Sequence, residues 1–164
     1  AWRSALLSEK TPTVLALTRQ NLPVLGSNSD AEKGGYILDR EEGAPEPQVI
    51  LMASGSEVSL CLDAKKLLEA DGIATRVVSM PCMEVFANQD EAYRNAVLPD
   101  GDALRVAVEA GSSQPWGNWI GTHGISITMD CFGASAPAPE LFRKFGFTPE
   151  NIARRARQTQ KRNL

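Results

Sequence analysis

The sequence predicts an α/β domain organised around a βαβ unit. Three observations carry this: an apolar run from Gln48 to Ala53 (QVILMA), an amphipathic pattern that opens at Glu57, and a β-branched run from Ile73 to Met80 (IATRVVSM). Strands joined through a single helix in this way lie parallel, with a right-handed crossover. Ser54-Gly55-Ser56 forms the intervening turn, and its hydroxyls are placed to cap the helix. Leu60, Ala64, Leu67 and Leu68 then recur at i, i+4, i+7 and i+8, with Ser59, Asp63 and Lys66 on the opposite face. Asp71-Gly72 stops the helix and Pro81 ends the second strand.

Taken from the start, Trp2 to Glu9 reads as the last turns of a helix and Thr13 to Leu17 (TVLAL) as a strand. Thr18 to Lys33 is polar and loop-like, so the first 23 residues are expected to be the end of a preceding domain. Gly34-Gly35 leads into a brief strand, Tyr36 to Asp39, followed by a turn or linker from Arg40 to Pro47. So short a connection places Tyr36–Asp39 to pair antiparallel with the strand at Gln48, which would make the sheet mixed. Beyond the central unit come a short helix over Asn88–Ala96, a turn at Pro99–Asp102 and a strand over Leu104–Glu109. Gly111–Gly124 is a Gly- and Trp-containing loop with room for one helical turn, Ile125–Met129 a further strand, and Phe132–Pro139 a loop of small residues. Leu141–Phe145 is a short helix stopped by Gly146, and Thr148-Pro149 opens the last helix with a cap followed by proline at its first position.

The 164 residues suffice for one α/β domain with a core and part of a neighbour. The chain opens at Ala1 without an initiator Met, so a piece of a longer protein is expected. A net charge of −3 argues against a nucleic-acid partner, since phosphate contacts need a surplus of Lys and Arg. No apolar run reaches membrane-spanning length and no leader pattern opens the chain, so the expectation is a soluble, cytoplasmic protein without a membrane partner. Cys61, Cys82 and Cys131 are odd in number and widely spaced, which indicates neither a disulfide framework nor a zinc site. Cys61 falls on the apolar stripe as a small buried hydrophobe. His123 is the only histidine, so a Ser-His-Asp relay would have to be built around this one ring.

Several segments, read in order, resemble transketolase. They are Leu17-Thr18-Arg19-Gln20-Asn21-Leu22-Pro23, Gly34-Gly35-Tyr36, Ala53-Ser54-Gly55-Ser56-Glu57-Val58, Arg76-Val77-Val78-Ser79-Met80-Pro81 and Gln89-Asp90-Glu91-Ala92-Tyr93-Arg94. Val97-Leu98-Pro99, Val106-Ala107-Val108-Glu109-Ala110-Gly111, Phe132-Gly133-Ala134-Ser135-Ala136-Pro137 and Phe145-Gly146-Phe147-Thr148-Pro149-Glu150-Asn151 continue the series. Each is weak alone; their number, order and spacing make the resemblance specific over nearly the whole chain.

The resemblance implies a homodimeric enzyme of the pentose phosphate pathway, and of the Calvin cycle in photosynthetic organisms. Such an enzyme moves a two-carbon ketol unit between sugar phosphates with thiamine diphosphate and Mg2+ or Ca2+. It also implies that residues 1–23 are the tail of the pyrimidine-binding domain and residues 24–164 the C-terminal domain. That domain would be a three-layer αβα sandwich on a mixed five-stranded sheet. In the family the diphosphate and metal are held by a G-D-G motif with a later Asn, and a Glu of another domain activates the coenzyme. Neither is present here: Asp100-Gly101-Asp102 has the order D-G-D and reads as a turn. No catalytic, cofactor-binding or metal-binding residue is therefore assigned, and the segment alone is expected to be inactive. Arg19 does carry over, matching the arginine that binds the terminal phosphate of the sugar; without the resemblance, its spacing alone favours a surface ion pair. Thr18 replaces the Ser commonly found before that arginine.

The remaining features have simpler readings. Ser54-Gly55-Ser56 stands where an open α/β sheet binds ligands, but one glycine is no G-x-G-x-x-G, and helix capping explains the serines. Glu109 ends a strand beside it, where a hydrogen bond to neighbouring backbone is the favoured role. Trp116, Trp119 and His123 could stack on a sugar, although covering a sheet edge or an interface is the commoner use of such a loop. Arg154, Arg155, Arg157, Lys161 and Arg162 complement the last helix's dipole as a solvated face, and Arg162-Asn163-Leu164 is no peroxisomal address. The rival to an enzyme segment is a regulatory or dimer-stabilising module that reads a nucleotide or metabolite at Ser54–Glu57.

Overall fold

All five residues of strand β2, Val49–Ala53, are 0% exposed, which makes it the centre of the sheet rather than an edge. The computed structural model describes residues 1–26 and 28–163; Ser27, within the expected loop over Thr18–Lys33, and Leu164, in the final tripeptide, lie outside them. β2 is flanked on both sides by parallel neighbours: β3 (Thr75–Ser79), with Leu51 opposite Val77, and β4 (Leu104–Val108), with Leu51 opposite Val106. β5 (Ile125–Ile127) adds to β4 in parallel, and β1 (Tyr36–Asp39) adds to β3 antiparallel, giving the order β1-β3-β2-β4-β5.

The sheet is thus mixed and five-stranded, but β1 does not pair with the strand at Gln48 as its short connection suggested. Both edges of β2 are occupied by parallel strands, so β1 closes the free edge of β3 instead, and the connection from β1 to β2 passes across β3. A second departure is at Thr13–Leu17, which forms no strand: residues 8–26 hold no helix or strand. Val14 and Leu17 are 89% and 77% exposed, and the segment pairs with neither edge strand of the sheet, so it lacks the ladder partners that a strand requires. Before it, helix α1 (Trp2–Leu7) buries no residue, and the Arg3–Glu32 ion pair ties it to a short 3-10 turn over Ser29–Lys33.

Because strand side chains alternate, β2 feeds two cores. Val49, Leu51 and Ala53 face a layer formed by helices α2 (Glu57–Glu69) and α7 (Pro149–Asn163). Cys61, Ala64, Leu68, Ile152, Ala153 and Ala156 fill that layer, and α6 (Ala138–Phe145) packs at its margin through Phe142. Ile50 and Met52 face the other layer, with Phe86 from α3 (Met83–Ala87), Val97 from α4 (Glu91–Val97), and Trp116 just before α5 (Gly117–Ile120). The result is the three-layer αβα sandwich.

The buried face of α2 is rotated from the expected stripe. Val58, Cys61, Ala64, Lys65 and Leu68 are buried, whereas Leu67 is 37% exposed. Lys65 accounts for the difference: its ammonium donates to Asp39 Oδ1 at 2.6 Å and to the Arg40 carbonyl, so a charged side chain occupies an inward position. The helix expected over Asn88–Ala96 runs instead from Glu91, capped by Asp90, which accepts the Tyr93 N–H at 2.7 Å. α3 precedes it where no helix was expected, since only Phe86 among its five residues is buried. Gly34, at φ +84°, is required here: a Cβ would stand 2.4 Å from the Cys82 carbonyl oxygen and 2.5 Å from the Phe86 nitrogen. At the other end of the chain, α7 begins as expected, with Thr148 Oγ1 accepting the Asn151 N–H at 3.3 Å.

Candidate functional site

In an open α/β sheet the ligand crevice lies beyond the carboxyl ends of the parallel strands. Here that edge carries Ser54-Gly55-Ser56 after β2 and Glu109 after β4, and the Thr18–Pro23 segment runs past it. The Gln20 carboxamide makes the junction, donating from Nε2 to Ser56 Oγ at 3.3 Å and to Thr18 Oγ1 at 3.1 Å. The Gln20 backbone N–H also reaches Thr18 Oγ1, at 3.3 Å. Thr18 and Gln20 therefore close a tight turn with Arg19 between them. Arg19 is exposed, and among the described residues no carboxylate stands within ion-pair range of it.

The serine hydroxyls are not used as expected. Ser56 takes the cap position of α2 but makes no side-chain cap bond; its hydroxyl donates to Glu57 Oε1 at 2.8 Å. Glu57 is 4% exposed, and burial pushes its carboxyl above the ordinary glutamate range. Glu109 is also raised, first by burial and then by the Glu57 charge, with the Ser54 hydroxyl partly offsetting both. Two carboxyls and a Ser56 hydroxyl committed to one of them leave this turn unsuited to an anion, and the positive end of α2 faces acids instead.

The other candidates lie elsewhere. Asp100 and Asp102 are exposed on the turn before β4, at the amino ends of the strands. They share that end with His123, Arg105 and Arg162, along an open cleft opposite to the Arg19 turn. Trp116 is buried against the second core and Trp119 packs tilted on Phe86 with ring centroids 5.1 Å apart, so these rings cover a face of the sheet. Of the basic residues on α7, Arg157 pairs with Asp71 at 2.5 Å and Arg154 bonds along its own helix to Asn151 and Gln158, which fits a solvated face. Cys61 is buried and Cys131 exposed. No helix of the described residues is long and apolar enough to cross a membrane.

Sequence reasoning named Arg19 and the serine turn but gave no role to Gln20 or Glu57. Gln20 follows Arg19 directly, so a polar residue beside a phosphate-binding candidate was the available clue. The approach of Glu57 to Glu109 had none, because it depends on the parallel pairing of β2 with β4.

Comparison with known proteins closes the matter of family. Residues 34–148 match the transketolase-like C-terminal domain. A transketolase of Rhodobacter capsulatus is 54% identical over 93% of this chain, and one of Staphylococcus aureus is 48% identical over 93%. Among solved structures, a transketolase from Leishmania mexicana superposes with a TM-score of 0.89 at 45% identity over 99% of this chain. One from Pichia stipitis, in complex with sedoheptulose 7-phosphate, gives 0.87 at 43% over 98%. The chain spans about a quarter of the length of these relatives: 24% and 23% of the two sequences, and 23% of each solved chain. The chain belongs to the transketolase family and carries its C-terminal domain.

Proposed function

We propose that this chain is the C-terminal segment of a homodimeric, thiamine-diphosphate-dependent transketolase. In this reading the whole enzyme transfers a two-carbon ketol unit from a ketose phosphate to an aldose phosphate in the pentose phosphate pathway, and in the Calvin cycle where present. It does so in the cytoplasm, with Mg2+ or Ca2+. Residues 1–23 are the tail of the pyrimidine-binding domain and residues 24–164 the C-terminal domain. The observation that carries the reading is the agreement of nearly the whole chain with transketolases at about half identity, one solved relative holding a sugar phosphate.

The residues present do not fit the coenzyme. Among the described residues, no three of His, Cys, Asp or Glu converge to hold a cation, and the D-G-D turn lies at the opposite end of the sheet from Arg19. Binding of thiamine diphosphate therefore belongs to the rest of the polypeptide. What this chain contributes is Arg19. Its planar guanidinium, presented on an exposed turn, binds the terminal phosphate of the sugar; a phosphate held remotely fixes where the reacting carbonyl sits. The alternative, a regulatory module at Ser54–Glu57, is disfavoured because the Ser56 hydroxyl is committed to Glu57 and the Glu57 and Glu109 carboxyls stand at the turn.

The test is ketol transfer from xylulose 5-phosphate by the full-length polypeptide that carries this segment. Activity that requires added thiamine diphosphate supports the reading; a complete, coenzyme-saturated protein without transfer refutes it. Micromolar binding of the coenzyme by the 164-residue segment alone, seen by calorimetry, would contradict the division of labour.

A further inference from the structure

Arg19 has five guanidinium N–H groups and a long side chain, so its capture of a phosphate depends on how firmly the backbone beneath it is held. Two features of the fold bear on this. Thr18 Oγ1 accepts twice from Gln20, from the backbone N–H at 3.3 Å and from Nε2 at 3.1 Å, which clasps the turn across Arg19. The same Nε2 donates to Ser56 Oγ at 3.3 Å, and Ser56 passes its own proton to Glu57 Oε1 at 2.8 Å. The orientation of the carboxamide follows from donor counting. Ser56 has one proton, committed to Glu57, so Ser56 must accept, and the NH2 end of Gln20 must face it. Glu57 is 4% exposed in the first turn of α2, a thirteen-residue helix packed on the central strand. Among the described residues, the bond to Ser56 is the side-chain hydrogen bond that joins residues 12–26 to the sandwich.

We infer that Gln20 is a positioning residue for phosphate recognition: by clasping Thr18 and docking on Ser56 it fixes the Arg19 turn to the amino end of α2. Gln20 touches no substrate in this scheme; it acts through Arg19. The inference rests on the assignment of Arg19 to the sugar phosphate and deepens it. Loss of the clasp leaves the guanidinium chemically intact but poorly placed, so the cost falls on binding of phosphorylated sugars and not on the chemistry at the ketol unit.

The experiment is steady-state kinetics of the full-length, coenzyme-loaded enzyme with xylulose 5-phosphate and, separately, an unphosphorylated ketol donor. Gln20→Ala is expected to raise KM for the phosphorylated donor about three- to tenfold, the scale of a lost hydrogen bond, with kcat and the unphosphorylated KM within about twofold. Thr18→Val should show the same selective loss and Thr18→Ser should restore the wild-type values, since serine keeps the accepting hydroxyl. Gln20→Glu, which places a second acid beside Glu57 and removes both donors, should be at least as impaired as Gln20→Ala. Equal losses on both donors, or none, in Gln20→Ala and Thr18→Val would overturn the inference. Arg19→Ala in the same assay separates the two levels: a phosphate-selective loss there with none in Gln20→Ala removes only the positioning role, whereas no selectivity in Arg19→Ala removes the phosphate assignment beneath it.

Discussion

Arg76 of β3 and Glu41, in the turn that follows β1, form a two-pronged ion pair, Nη2 to Oε1 at 2.6 Å and Nε to Oε2 at 2.8 Å, with side chains 4% and 5% exposed. Arg76 Nη1 also donates to the carbonyls of Ala96 and Val97, each at 3.1 Å. One guanidinium therefore joins the β1 turn, the sheet and the end of α4.

Removing one partner of so enclosed a pair strands the other. Glu41→Ala should cost roughly 3–5 kcal/mol of unfolding free energy. The Arg76 hydrogen bonds hold the Glu41 carboxyl below its ordinary value of 4.5, so the pair's contribution is present above that value and is lost as pH falls through the lowered folded value. Urea unfolding at pH 7 and at acid pH checks both: the gap between wild type and variant should narrow on acidification. A gap independent of pH would contradict the assignment.

Glu57 titrates with the opposite sign. Its folded-state value is raised by burial, so the folded chain holds the proton more tightly than the unfolded one. The associated stability is present below the ordinary value of 4.5 and is lost as pH rises through the raised one. Glu57→Gln keeps an acceptor for the Ser56 hydroxyl and removes the titration. It should gain on wild type as pH rises above 4.5 in urea unfolding, and a constant difference would count against the buried acid.

The Gly34-Gly35 pair is fixed by close approach to α3. A Cβ at Gly35 would lie 2.5 Å from Met80 Sδ and 2.9 Å from the Phe86 ring, contacts that side chains can yield. At Gly34 the obstacles are backbone atoms and φ is +84°. Gly35→Ala should cost about 1–3 kcal/mol and Gly34→Ala more, and the reverse order in urea midpoints would refute this packing argument.

Thiol accessibility separates the three cysteines. Burial pushes the Cys61 thiol far up, with the Glu57 charge adding to it, while Cys131 is exposed. A disulfide reagent should modify Cys131 at once and Cys61 only at the rate of unfolding. Rapid loss of all three thiols in the native state would show that the α2 face is open.

What the sequence disclosed follows the range of the interactions concerned. The βαβ unit was legible because an apolar run, a turn and an amphipathic run lie side by side between Gln48 and Pro81. The neighbour of β1 was not, since it depends on β3 and β4 having taken both edges of β2. Thr13–Leu17 has strand composition, but composition cannot supply a partner edge. Lys65 turned the α2 face because Asp39 and Arg40, remote in sequence, make its burial tolerable. At the site, Arg19 gained its reading only from the resemblance of its segment to a known family. Gln20 gained one only when Ser56 was seen beside it.

The central claim, that this segment lends the enzyme its grip on the sugar's phosphate, is tested most directly by the KM of Arg19→Ala in the full-length enzyme. The account predicts a rise of roughly ten- to a hundredfold for xylulose 5-phosphate and little change for an unphosphorylated ketol donor, as loss of a charge-assisted contact to phosphate requires. Equal changes for the two donors would contradict it.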